Sequence, residues 1–150
     1  MRSEVILIVV IAVLMSSCQK SHEQIEEDFR DDFEKFEKLR SDVEKKYVSN
    51  PKFKNEATLI FTTCDAKKST KEICDSDFLE LMEALDVWRI TVDKKRCNGP
   101  HGFGSITFHL PSSKYYVYTF CKEYTFTQTE TTYAKSLTDN WYYLVDSSFP

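Results

Sequence analysis

With 150 residues, 41% hydrophobic and 29% charged, and only three glycines and four prolines, the chain has the composition of one ordinary globular domain, which excludes a disordered, collagen-like or multidomain protein. Its formal net charge of −4 supplies no basic field of the kind that phosphate neutralisation requires, so no nucleic-acid partner is expected. The apolar residues are unevenly spread: eleven of them fill residues 5–15 without interruption.

That block follows a short MRSE start and precedes Ser16, Ser17 and Cys18, the order of n-region, apolar h-region and small residues found in secretory signals. Eleven residues of helix cover roughly 16 Å, about half of a 30 Å hydrocarbon core, which disfavours a permanent span. Residues 14–18 (LMSSC) resemble the lipobox of bacterial lipoproteins, in which small residues precede the cysteine that is diacylated and becomes the mature N-terminus. Met15 stands where that family usually carries Leu, Val or Ile. The resemblance implies a signal peptide over residues 1–17, lipidation at Cys18, a tether over 18–22, and a membrane met through the lipid. The alternative is an ordinary secretory signal with Ser16 and Cys18 as the small residues before the cut, which gives a freely secreted protein. Either way residues 19–150 lie outside the cytoplasm, in the cell envelope or beyond it.

Removing Cys18 leaves Cys64, Cys74, Cys97 and Cys121, an even number in an oxidising compartment, separated by 10, 23 and 24 residues. No C-x-x-C pair is present, so disulfides are expected and a metal site is not. Four cysteines allow three pairings.

Ser21 and Gln24 read as a capping box opening a helix, the start of a single domain over residues 23–150. Ile25, Phe29, Phe33, Phe36, Leu39, Val43 and Tyr47 recur with a mean step of about 3.67, the period of a straight helix docked on a core. Asn50 and Pro51 end it. Residues 23–34 hold seven carboxylates and one arginine, which read as a solvated helix face. The run is also similar to the surface-export signal that some bacterial lipoproteins carry behind the lipidated cysteine.

Residues 57–64 (ATLIFTTC) are β-branched and aromatic, the pattern of a buried strand. The polar loop between Cys64 and Cys74 is one that a local disulfide closes. Asp75, Ser76 and Asp77 offer N-caps for a second helix with Phe78, Leu81, Met82 and Leu85 inward. Trp88, Ile90 and Val92 then alternate, with Arg89 and Thr91 on the other face. Residues 106–110 and 115–121 read as a hairpin around a four-residue loop, setting Leu110 against Tyr115, Phe108 against Val117 and Ile106 against Thr119. In that register Thr107, His109, Tyr116, Tyr118 and Phe120 share the face away from the aliphatic core. Cys97 then arrives near Cys121, so the expected pairs are Cys97 with Cys121 and Cys64 with Cys74. Residues 124–133 are threonine-rich, an edge strand or long loop, and residues 140–145 form a last strand. The order predicts an α+β fold: a long N-terminal helix and a second helix packed on a mainly antiparallel sheet of about five strands, braced by disulfides.

All three glycines, Gly99, Gly102 and Gly104, fall within CNGPHGFG at residues 97–104, a turn and bulge that also presents His101. No G-x-S-x-G, H-E-x-x-H or phosphate-loop spacing occurs, which weighs against an enzyme, and no cofactor or metal is expected. The favoured function is a small extracytoplasmic, lipid-anchored binding module for a partner protein, in the manner of an inhibitor or immunity protein, or for an envelope glycan. Its candidate contact residues are His101, His109, Tyr116, Tyr118 and Phe120. An envelope hydrolase with an acidic or histidine-containing site, and a freely secreted structural or interaction protein, are the alternatives.

Overall fold

The computed structural model describes residues 22–66, 69–94, 99–121, 126 and 128–147, and shows an α+β fold. Helix α1 (His22–Val43) opens it; Ser21, the expected cap, lies outside the described residues. The chain divides into two compact units within this helix, Met1–Phe33 and Glu34–Pro150. In the described part of the first, Ile25 and Phe29 are buried and Phe29 meets Phe33 edge-on at 5.5 Å between ring centres.

In the second unit α1 continues with Phe36, Leu39 and Val43 buried, as the helical period predicts. The next expected core position, Tyr47, gives way to the fully buried Val48. A π-helical turn, Glu44–Val48, inserts one extra residue per turn and rotates the buried stripe by one position. Asn50 then caps the short 3-10 turn Pro51–Phe53 through its side chain, which accepts from the Lys52 amide at 3.0 Å. Helix α2 (Ser76–Ala84) is capped by Asp75, whose carboxylate accepts from the Asp77 amide, and it buries Phe78 and Met82.

Seven strands form one sheet: β1 (Thr58–Thr62), β2 (Glu72–Ile73), β3 (Arg89–Asp93), β4 (Ser105–Leu110), β5 (Lys114–Thr119), β6 (Thr132–Ser136) and β7 (Trp141–Asp146). Their spatial order is β2-β1-β3-β4-β5-β7-β6, antiparallel throughout except β1 with β2. The two strands beyond the expected five are β2, a two-residue piece beside Cys74, and β6, at the end of the threonine-rich stretch. Cys64 and Cys74 are disulfide-bonded with Cα atoms 5.1 Å apart, closing the loop that carries β2. Cys121 is disulfide-bonded too, whereas Cys97, its expected partner, lies outside the described residues.

The core is an aromatic layer between the helices and one face of the sheet. Phe36 meets Phe108, Tyr116 and Trp141 with ring centres 5.7, 4.9 and 6.0 Å away, and Phe78 meets Phe61 at 5.8 Å. A polar seam runs beside it. Glu37 accepts from the Trp141 indole at 2.6 Å and from Arg40 Nε at 3.0 Å, while the Arg40 guanidinium lies 4.6 Å over the Tyr118 ring. A second seam ties the π-turn to α2: Lys46 donates to Asp75 and Asp77, and the Tyr47 hydroxyl donates to Asp75 at 2.6 Å.

The hairpin register differs from the expected one by a single residue, and that changes every face assignment on β5. Leu110 pairs with Lys114, Phe108 with Tyr116 and Ile106 with Tyr118. The connecting loop is three residues long, because Ser112 and Ser113 both take left-handed backbone angles, φ 62° and 54°. Such a turn normally announces itself with Asn or Gly, and two serines carry no such signal. Since side chains alternate with period two, a slip of one moves Tyr116 and Tyr118 to the helix-covered face.

Candidate functional site

The opposite face of the sheet carries no helix among the described residues. Strand pairing aligns Thr62, Arg89, His109, Tyr115 and Leu144 in one row across β1, β3, β4, β5 and β7. Thr91 and Thr107 sit one step along the strands, also as a pair.

His109 is the centre of this row. Its Nε2 lies 3.1 Å from Thr91 Oγ1, and its ring meets Trp88 and Tyr115 edge-on at 5.6 and 5.1 Å. Burial drives its pKa down to about 4, the neighbouring Arg89 charge pushes the same way, and Asp93 opposes them weakly. The imidazole is therefore neutral at pH 7 and acts as a hydrogen-bonding group, not as a cation.

Arg89 lies beside it with its guanidinium carbon 6.0 Å over the Trp88 ring. Its Nε is buried and has no partner among the described residues, and the same is true of Oγ1 of Thr62, its cross-strand neighbour. Two adjacent buried polar atoms without partners are costly, on the order of 1–3 kcal/mol each, and are seldom retained in a folded protein without a reason. Trp88 itself is 46% exposed, the only large hydrophobic side chain exposed among the described residues. It stands just before β3, outside the alternation expected for it, because the chain leaves α2 through Asp86 at φ 54°. Its indole N–H donates to the Leu110 carbonyl at 3.3 Å, which leaves its ring face as the feature it offers.

Of the residues singled out in the sequence, only His109 belongs to this group. Tyr116 is buried, 7% exposed, under Phe36. Tyr118 is covered by Arg40, and Phe120 packs on Tyr118 with ring centres 5.2 Å apart. All three tally with the slipped register: the aromatic set that alternation placed beside His109 lies on the other side of the sheet. His101 precedes β4 while His109 lies near its far end, so the two histidines are not brought together. His101 takes φ 53° and its Nε2 sits 3.0 Å from the Ser49 carbonyl, tying the glycine loop to the end of the π-turn. The loop needs its glycines locally: a Cβ at Gly99 would lie 1.9 Å from the Phe103 carbonyl oxygen, and Gly102 has φ 82°.

Comparison with protein-family models, with curated proteins and with solved structures found no match.

One open cleft of about 390 Å³ is lined by Asp42, Lys45, Lys46, Asp77 and Phe78. Its charges are of both signs and two of them, Lys46 and Asp77, already pair at 2.7 Å. Among the described residues no group of three or more His, Cys, Asp or Glu is placed to hold a metal ion, and no helix is long and apolar enough to cross a membrane. Arg89, Trp88, Thr62 and Tyr115 escaped the sequence reading because nothing in the spacing of strands predicts which residues of three different strands fall in one row. The available signal was the cation Arg89 next to Trp88 in the chain.

Proposed function

We propose that this chain is an extracytoplasmic binding module, held at a membrane by a lipid on Cys18, that meets its partner with the helix-free face of the sheet around His109. The supporting observation is the exposed Trp88 standing beside Arg89, a cation without a counter-ion among the described residues. Covering exposed apolar surface is favourable, and a partner of complementary charge offsets the desolvation of the cation beside it. The N-terminal reading supplies the compartment: the apolar run at 5–15, the small residues and Cys18.

Two measurements test it. Intact mass of the membrane-bound form, expressed with its native N-terminus, is expected to begin at Cys18 with two or three acyl chains. A benzophenone amino acid in place of Tyr115 is expected to give a discrete ultraviolet adduct in native envelopes, while the same group at Lys35 on α1 gives none. A soluble form starting after Cys18 overturns the anchor, and equal labelling, or none, at the two positions overturns the face.

A further inference from the structure

We infer that Arg89 is the receptor for a carboxylate of an acidic saccharide whose ring lies against Trp88, an assignment that rests on the helix-free face being the binding surface. Arg40, the other partly buried arginine among the described residues, pairs with Glu37 and Glu44. Arg89 has none among the described residues. The nearest acid on its own strand face, Asp93, is engaged by the Thr58 hydroxyl at 2.8 Å. A partly buried guanidinium without an anion is unfavourable by itself and becomes favourable when a planar oxyanion meets it through two parallel N–H donors, the geometry a carboxylate fits.

The surroundings select the kind of molecule that brings the carboxylate. His109 is neutral, so it adds no second charge, and with Nε2 held by Thr91 its Nδ1 remains as a single polar edge. Thr91, Thr107 and Tyr115 add hydroxyl groups on the same face. Trp88 is alone among the described residues as a large exposed hydrophobic, a single aromatic surface. A sugar ring, with one C–H face for an indole and a rim of hydroxyls, needs just one aromatic surface and scattered small polar groups. Its carboxylate then meets the Arg89 guanidinium.

The test is isothermal titration of the mature full-length chain with oligogalacturonate and sialyllactose, each set against its carboxyl-free counterpart, an oligogalactose and lactose. At least one acidic sugar is expected to bind while its neutral counterpart binds at least tenfold more weakly. Arg89→Gln is expected to lose ten- to a hundredfold in affinity with an unchanged circular dichroism spectrum, and Arg89→Lys to lose less. Equal binding of acidic and neutral sugars, binding of neither acidic sugar, undiminished affinity in Arg89→Gln, or equal competition by a glutamate-rich peptide overturns the inference. A Tyr115 adduct with a protein in native envelopes, together with no acidic-sugar binding, overturns the saccharide and leaves the binding face standing. Absence of any adduct removes the reading beneath it.

Discussion

Trp141 and Glu37, 104 residues apart in sequence, are joined by an indole N–H···carboxylate hydrogen bond of 2.6 Å. The bond fastens α1 to β7 at the centre of the aromatic core, and the same carboxylate accepts from Arg40, whose guanidinium covers Tyr118. One acidic side chain on α1 thus sets where two strands meet the helix. Replacing Trp141 by Phe removes the donor, leaves Glu37 with Arg40, and opens a gap the size of the lost ring. Hydrogen bonds to charged groups contribute about 1.5–3 kcal/mol, so Trp141→Phe is expected to lower stability by about 2–4 kcal/mol once the gap is added. Urea unfolding followed by far-ultraviolet circular dichroism measures it, and a loss below 1 kcal/mol would show that the bond holds nothing.

The hairpin register makes a sharper claim about neighbouring tyrosines. Tyr116 packs under Phe36, whereas Tyr115 lies half-buried on the opposite face beside His109. Truncating a buried aromatic costs about 3–5 kcal/mol. Tyr116→Ala is therefore expected to be far more damaging than Tyr115→Ala, with melting temperatures separated by roughly 10 °C. The reverse order would restore the four-residue loop.

His109 gives stability a dependence on acid. Its folded pKa, about 4, lies below the unfolded value of about 6.5 because burial and Arg89 oppose its protonation while Asp93 favours it. Between those two values the unfolded chain binds a proton that the folded chain does not. Stability is therefore fully present above pH 6.5, falls as pH drops toward 4, and levels off below it. In His109→Gln this limb is expected to vanish, so the stability difference between wild type and variant narrows steadily from pH 7 to pH 4. A pH-independent difference would mean that His109 is protonated as readily folded as unfolded.

Asp75 acts in a lower window. Burial alone would raise its pKa, but hydrogen bonds from Lys46, the Tyr47 hydroxyl and the Asp77 amide outweigh it and hold the carboxyl below its ordinary value. Burial first, then the hydrogen bond to Asp75 and its charge, push the Tyr47 hydroxyl up to about 12 against the opposing charge of Lys46. A depressed carboxyl contributes stability above about pH 4 that is lost as pH falls through its folded value. Asp75→Ala loses the cap of α2 and the tie to the π-turn together, an expected cost of about 2–4 kcal/mol at pH 7. Asp75→Asn is expected to keep most of the cap yet show no extra loss on going from pH 4 to pH 2, read by thermal melts across that range.

Periodicity and local chemistry carried much of this architecture. The 3.67 step of α1, the Asp75 cap of α2, the alternation of Ile90 with Val92 and the short Cys64–Cys74 loop each depend on residues close in sequence, and each is present. The places of failure were long-range. A π-turn after Val43 moved the core position from Tyr47 to Val48, because packing on the sheet, not helical period, chose which side chain to bury. Two serines with left-handed angles shortened the hairpin loop by one residue, and the period of two then carried Tyr116 and Tyr118 into the core and left His109 among residues of neighbouring strands. What the chain order determined alone was the set of elements and which side chains within each share a face. Which of those faces meets the helices, and which residues from separate strands gather around Arg89, was decided by register, a property of pairing between segments that no single segment contains.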